Sequence, residues 1–215
     1  MNKKILISTG GSGGHVIPAT IIYKHLEHSF DVSMTSDFRG VKFLNKDEYN
    51  LKIFNVRPIS KNLLIMPFDF LLMIILIFKS ISFLRKNKID TLISTGGYMS
   101  LPLCVGAKIL NIKLLLFEPN MVLGRSNKFF ISYCQKIFCY SNNIKKFPIK
   151  FKNKIKVIPT LLRKNFYDKR DSNNSLDTIN LLIIGGSQGA KIFSLYFLDN
   201  SIIAFLTKSS NILAP

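Results

Sequence analysis

Four glycines in five positions, Gly10-Gly11-Ser12-Gly13-Gly14, follow directly on a short β-branched run, Lys4-Ile-Leu-Ile-Ser-Thr9. Beyond them, from Pro18 to His28, apolar residues recur at helical spacing as Ile21, Ile22 and Leu26. A buried parallel strand that runs into a glycine turn and then a helix is the opening unit of a βαβ fold. A plain strand-to-helix turn needs only one or two glycines. Four of them clear the Cβ atoms from a whole loop, so backbone N–H groups can approach a phosphate or a sugar at the positive end of the helix. The spacing is not G-x-G-x-x-G, and no Gly-Lys-Ser/Thr follows, so dinucleotide hydride transfer and P-loop phosphoryl transfer lose support.

Further apolar runs, Phe30–Met34, Asp90–Thr95, Lys113–Phe117, Lys136–Tyr140 and Lys154–Ile158, alternate with helical stretches. That alternation predicts a parallel, doubly wound α/β sheet with ligands beyond the carboxyl ends of its strands. An apolar content of 47% with only 12 Gly and 8 Pro in 215 residues supports a sizeable core and excludes disorder or collagen-like sequence. Residues 168–178 are polar and aperiodic, as expected of a linker. Ile179–Ile184 then leads into Gly185-Gly-Ser-Gln-Gly-Ala190, a second strand and glycine loop like the first. The expected organisation is a domain over 1–165, a linker over 166–178, and the start of a second Rossmann-like domain over 179–215.

His15 lies inside the first glycine loop, where a neutral imidazole can take a proton from a hydroxyl nucleophile. His25 and His28 lack such a context and are read as surface residues. A third glycine site, Ser94-Thr-Gly-Gly-Tyr-Met-Ser-Leu-Pro102, and Glu118-Pro-Asn120 also end strands. Tyr98, Glu118 and Asn120 therefore line the same sheet edge as the first loop, a set of hydrogen-bonding groups suited to sugar hydroxyls. Cys104, Cys134 and Cys139 form no CxxC pair, which indicates reduced, buried thiols rather than a disulfide framework or a zinc site. The N-terminal apolar run is too short for a signal peptide, so no export is expected.

The formal net charge is +18, with 24 Lys and 6 Arg. An anionic partner and a base-composition bias toward Lys, Ile and Asn are both open sources of it. Lys145, Lys146, Lys150, Lys152, Lys154 and Lys156 form a basic run that anionic lipid would attract. Nucleic acid is not expected, because no recognition motif or stacking platform accompanies the charge. Leu63–Leu84 is the most apolar stretch, and Phe70–Phe78 contains no polar residue at all. A core helix and an apolar surface dipping into a membrane are equally weighted readings of it.

The blocks Gly10-Gly-Ser-Gly-Gly-His-Val-Ile-Pro18, Gly96-Gly-Tyr-Met-Ser-Leu-Pro102, Phe117-Glu-Pro-Asn120 with Gly124-Arg-Ser-Asn-Lys128, and Gly185-Gly-Ser-Gln-Gly-Ala190 resemble, in order, the motifs of the MurG family. The resemblance implies a GT-B type fold. It also implies transfer of N-acetylglucosamine from UDP-N-acetylglucosamine to lipid I, giving lipid II, without metal or other cofactor. By the same resemblance His15 is the general base, and Ser12, Gly13, Gly14, Asn120, Arg163, Ser187 and Gln188 serve the donor. Gly11, Tyr98 and Glu118 serve the acceptor. The implied location is peripheral, at the cytoplasmic face of the bacterial inner membrane, against an anionic membrane surface. The donor domain is expected to be truncated after its first strand, loop and helix. The chain is then a shortened transferase, a membrane-bound acceptor half needing a partner chain that supplies the missing donor domain, or an inactive remnant.

Overall fold

The computed structural model describes residues 3–57, 60 and 62–162. Seven parallel strands, β1 (Lys4–Ser8), β2 (Asp31–Ser36), β3 (Leu51–Ile53), β4 (Thr91–Ser94), β5 (Lys113–Glu118), β6 (Lys136–Cys139) and β7 (Ile155–Val157), lie in the order β3-β2-β1-β4-β5-β6-β7. β1 pairs with β2 on one side and β4 on the other, so Ile7 stands opposite both Met34 and Ile93. The strand order reverses at that point, and the loops after β1 and β4 flank the resulting crevice. The doubly wound parallel α/β sheet is as expected from the sequence. β3 is an addition to it, since three residues are too few to show a period.

Alternation along each strand divides the core into two layers. Leu6, Leu92, Leu114, Leu116 and Ile137 face one way. They pack with Leu84, Leu103 and Phe130 from α3 (Met66–Lys86), α4 (Leu101–Ile109) and α5 (Arg125–Phe130). Ile5, Ile7, Val32, Met34 and Ile93 face the other way, against Ala19 and Tyr23 of α1 (Gly13–Leu26), while the single turn α2 (Phe38–Val41) follows β2. Alongside α1, whose Ile21, Ile22 and Leu26 form one wall, Leu115, Phe117, Phe138 and Leu162 line a groove of about 840 Å³ on this second face.

α1 starts five residues earlier than Pro18, the first residue of the predicted helix. Ser12 is extended (φ −112°, ψ 161°), and its carbonyl accepts from the N–H groups of both His15 and Val16, so the glycines themselves form the first turn. Pro18 falls within the helix and leaves the Gly14 carbonyl without its usual i+4 donor.

α3 departs from the core-helix reading. Only Met73, Ser80 and Leu84 of its residues are buried, while Phe68, Phe70, Leu71, Ile74, Ile75 and Phe78 are exposed. Leu63, Leu64 and Ile65 extend this apolar surface toward the preceding loop.

Cys104, Cys134 and Cys139 are free and buried. Burial pushes the thiols of Cys104 and Cys139 up to about 12, and the Glu118 carboxylate adds to the rise at Cys139. Such thiols are poor nucleophiles at neutral pH. Arg163, Ser187, Gln188, the linker over 166–178 and the second glycine loop lie outside the described residues.

Candidate functional site

His15 occupies the crevice between the loops after β1 and β4. Its Nδ1 lies 2.7 Å from the Thr95 carbonyl oxygen. A carbonyl can only accept, so Nδ1 carries the proton and Nε2 is left as the acceptor of the neutral ring. The rest of the imidazole lies against Gly96 and Gly97. A Cβ added at Gly96 would stand 3.5 Å from His15 Cε1, and one at Gly97 would stand 3.7 Å from Cδ2 and 4.0 Å from Nε2. Both glycines have left-handed φ, +86° and +83°, which a side chain would strain. The two glycine turns that look separate in the sequence thus meet through one histidine.

On the other flank, Asp37 holds the first loop in place. It is buried, and its Oδ1 accepts from the N–H groups of Gly11 and Gly40, each at 2.8 Å. Its Oδ2 pairs with Arg39 through Nε and a terminal nitrogen, both at 2.9 Å. The contact is close: a Cβ at Gly10 would stand 2.7 Å from Asp37 Oδ1, and one at Gly40 would stand 2.8 Å from Gly10 Cα. Asp37 and Arg39 were not singled out from the sequence. The available signal was Ser36-Asp-Phe-Arg-Gly40, a helix-capping aspartate with a glycine three residues on, directly after a strand.

Glu118 forms a third fixed point. Only 1% of it is exposed, and it receives four N–H groups. Oε1 accepts from the Asn120 backbone at 3.2 Å and its amide at 3.0 Å, while Oε2 accepts from the Gly124 backbone at 2.8 Å and the Asn127 amide at 3.0 Å. The carboxylate is therefore the internal tie of the loop after β5. Asn127 also approaches the second glycine turn, with its Nδ2 3.3 Å from a Cβ added at Gly96.

The other predicted positions border the same crevice. Ser12, at the α1 N-cap, is exposed with no side-chain capping bond, and Gly14 beside it is exposed. Gly13 is half-buried near Phe43. Gly11 commits its N–H to Asp37, so it offers a ligand its carbonyl and open space rather than its donor. Tyr98 follows Gly97 in a short 3-10 turn and is about one-third exposed. Asn120 is exposed at the mouth of the β5 loop.

Residues 5–139 match the family model described as the glycosyltransferase family 28 N-terminal domain. Over 193 residues the chain is 92% identical to the UDP-N-acetylglucosamine–N-acetylmuramyl-(pentapeptide) pyrophosphoryl-undecaprenol N-acetylglucosamine transferase of Pelagibacter ubique, covering 90% of this chain and 54% of that protein. It is 31% identical over 216 residues to the protein of the same name from Rickettsia bellii, covering 98% and 59%. Among solved structures it resembles MurG of Acinetobacter baumannii with a TM-score of 0.69 and 26% identity, over 91% of this chain and 56% of that one. The chain spans little more than half the length of the curated relatives it matches.

The Glu118 tie can be tested by substitution. Glu118→Gln turns one acceptor into an NH₂ group facing N–H donors, and a buried donor left unpaired costs about 1–3 kcal/mol. We expect a loss of stability of that size on denaturant unfolding, and faster hydrogen exchange at the Gly124 amide while β4 amides stay protected. Unchanged exchange at Gly124 would remove the tie.

Proposed function

The chain belongs to glycosyltransferase family 28, and from that premise we propose that it is the acceptor-side part of a UDP-N-acetylglucosamine-dependent hexosyltransferase that converts lipid I to lipid II. The observation that carries the reading is the His15 imidazole seated between two glycine turns with Nδ1 occupied and Nε2 left to accept a proton. In the reaction, Nε2 takes the proton of the 4-hydroxyl of the muramyl sugar. The oxygen bonds to C1 of N-acetylglucosamine, and the bond from C1 to the diphosphate breaks, releasing UDP. By the family resemblance Ser12, Gly13, Gly14 and Asn120 serve the donor, and the same role is assigned to Arg163, Ser187 and Gln188. Gly11, Tyr98 and Glu118, with the loop it ties, serve the acceptor.

Residues 1–165 are assigned to the acceptor domain and 179–215 to the opening of the donor domain. In-line transfer requires both substrates to be held together with water excluded, so the donor half has to come from further chain or from a partner chain. No metal or other cofactor enters this scheme.

The proposed place of work is the cytoplasmic face of the bacterial plasma membrane. α3 is long and apolar enough to cross a bilayer, with a mean hydropathy of 2.0. Its buried residues Met73 and Leu84 nevertheless pack into the domain core, with Phe54, Val56 and Met99 around the first and Leu103 and Ala107 around the second. A helix tied down along one side favours lying in the interface over spanning it. Lys79, Arg85 and Lys86 lie toward its C-terminal end, where they can meet anionic headgroups. Lys154 of the basic run is engaged elsewhere, donating to the carbonyls of Ile131, Ser132 and Cys134.

Two experiments test these readings. With radiolabelled UDP-N-acetylglucosamine and a lipid I analogue, we expect transfer when the donor half of the 92%-identical relative is added as a second chain, and about 10²-fold or more loss with His15→Ala. Full turnover by His15→Ala removes the base role, and no transfer in any combination favours the inactive remnant. Against vesicles of phosphatidylglycerol and phosphatidylcholine, Phe68→Asp with Phe78→Asp should weaken partitioning at least ~10-fold, since burying each ring contributes about 1.5–3 kcal/mol. Both side chains are exposed, so circular dichroism should not change; unaltered partitioning would contradict lipid contact through α3.

A further inference from the structure

Beneath the glycine turns, the carboxyl ends of β1 and β4 carry hydroxyl residues that no part of the transfer chemistry uses. Ser8, Thr9, Ser94 and Thr95 are all fully buried. The Thr95 hydroxyl donates to Thr9 Oγ1 at 2.9 Å, with the Ser8 carbonyl 3.4 Å away. The Thr95 N–H donates to the Ser8 carbonyl at 3.1 Å, and the Gly96 N–H donates to Ser94 Oγ at 3.1 Å. These bonds restrain the peptide unit between Thr95 and Gly96 on both sides. The carbonyl of that unit is the one that receives His15 Nδ1–H.

We propose that Thr9, Ser94 and Thr95 are positioning residues that hold the Thr95 carbonyl where it fixes His15 in the Nδ1–H tautomer, leaving Nε2 free to accept a proton. The consequence for transfer rests on the base role of His15 proposed above, whereas the positioning itself does not. Three features favour a positioning role over a purely structural one. Hydroxyls in a parallel strand core give up apolar burial, so an isosteric valine at position 9 or 95 would otherwise pack as well or better. The hydroxyl pair sits one residue past the last β1–β4 ladder pair, Ser8 with Ser94, and in β4 directly before the left-handed Gly96 and Gly97, where the ladder no longer restrains the peptide. The unit it restrains also makes the only hydrogen bond recorded for the His15 ring among the described residues.

The test reads the tautomer directly, on the chain as it stands and without substrate. In ¹⁵N-labelled protein, long-range ¹H–¹⁵N correlations of His15 are recorded about 1.5 pH units above the usual histidine value of roughly 6.5, where an unperturbed ring is neutral. The expected wild-type pattern has Nδ1 protonated and Nε2 unprotonated. Thr95→Val and Thr9→Val should shift the population toward Nε2–H or a mixture, while Thr95→Ser and Thr9→Ser keep the wild-type pattern. If Thr95→Val does not fold, Thr9→Val with its serine control interrogates the same hydroxyl pair from the other strand. An Nε2–H pattern in the wild type overturns the proposal, as does a valine variant with a native amide spectrum and an unchanged His15 pattern. A wild-type Nδ1–H pattern that responds to both valines, in a protein that supports no transfer, leaves the positioning intact and removes the transferase reading instead.

Discussion

The candidate site depends on one hydrogen bond, from His15 Nδ1 to the Thr95 carbonyl at 2.7 Å. It joins the loop after β1 to the loop after β4 where the sheet order reverses, so it orients the histidine and closes the crevice together. The ring rests against Gly96 and Gly97, whose left-handed backbone disfavours any side chain there. Glycine in these loops thus has two distinct uses. In the first loop it lets the chain pass close to Asp37, and in the second it supplies the left-handed turn against which the imidazole rests.

Around that bond the loops are held by buried carboxylates rather than by apolar packing. Asp37 receives the N–H groups of Gly11 and Gly40, and Glu118 receives four N–H groups from the loop after β5. A buried carboxylate that accepts several N–H bonds is a rigid tie, since removing one partner strands a charge or a donor in a medium that solvates neither well. Such ties hold the loops above strand ends that themselves carry buried hydroxyls. The outer side of α3 is a different kind of surface, with Phe68, Phe70 and Phe78 exposed.

Much of this was legible from residue order. The strand-glycine-helix unit, the parallel sheet, His15 and the second glycine turn follow from local spacing, and the family resemblance is borne out by the match over residues 5–139. What could not be read depends on who meets whom in space. β3 is three residues long and has no period to detect. Asp37 looks like an ordinary helix cap, and only the fold brings Gly11 to it. Glu118 reads from the sequence only as a polar strand end; that the fold turns four loop donors onto its carboxylate is a convergence that spacing along the chain does not encode. The apolar run at Leu63–Leu84 was ambiguous because composition gives hydropathy and not direction; the packing of Met73 and Leu84 resolves which side faces inward.

The proposed transfer turns on His15 Nε2 being the atom that meets the acceptor hydroxyl. The most direct measurement is a crystal structure of the chain with a soluble lipid I analogue, reading the distance from Nε2 to the 4-hydroxyl of the muramyl sugar. A separation of about 2.6–3.2 Å, or one bridging water, is the predicted result. An acceptor bound with that hydroxyl turned away from the two glycine turns, and another side chain within hydrogen-bond reach of it, would contradict the account.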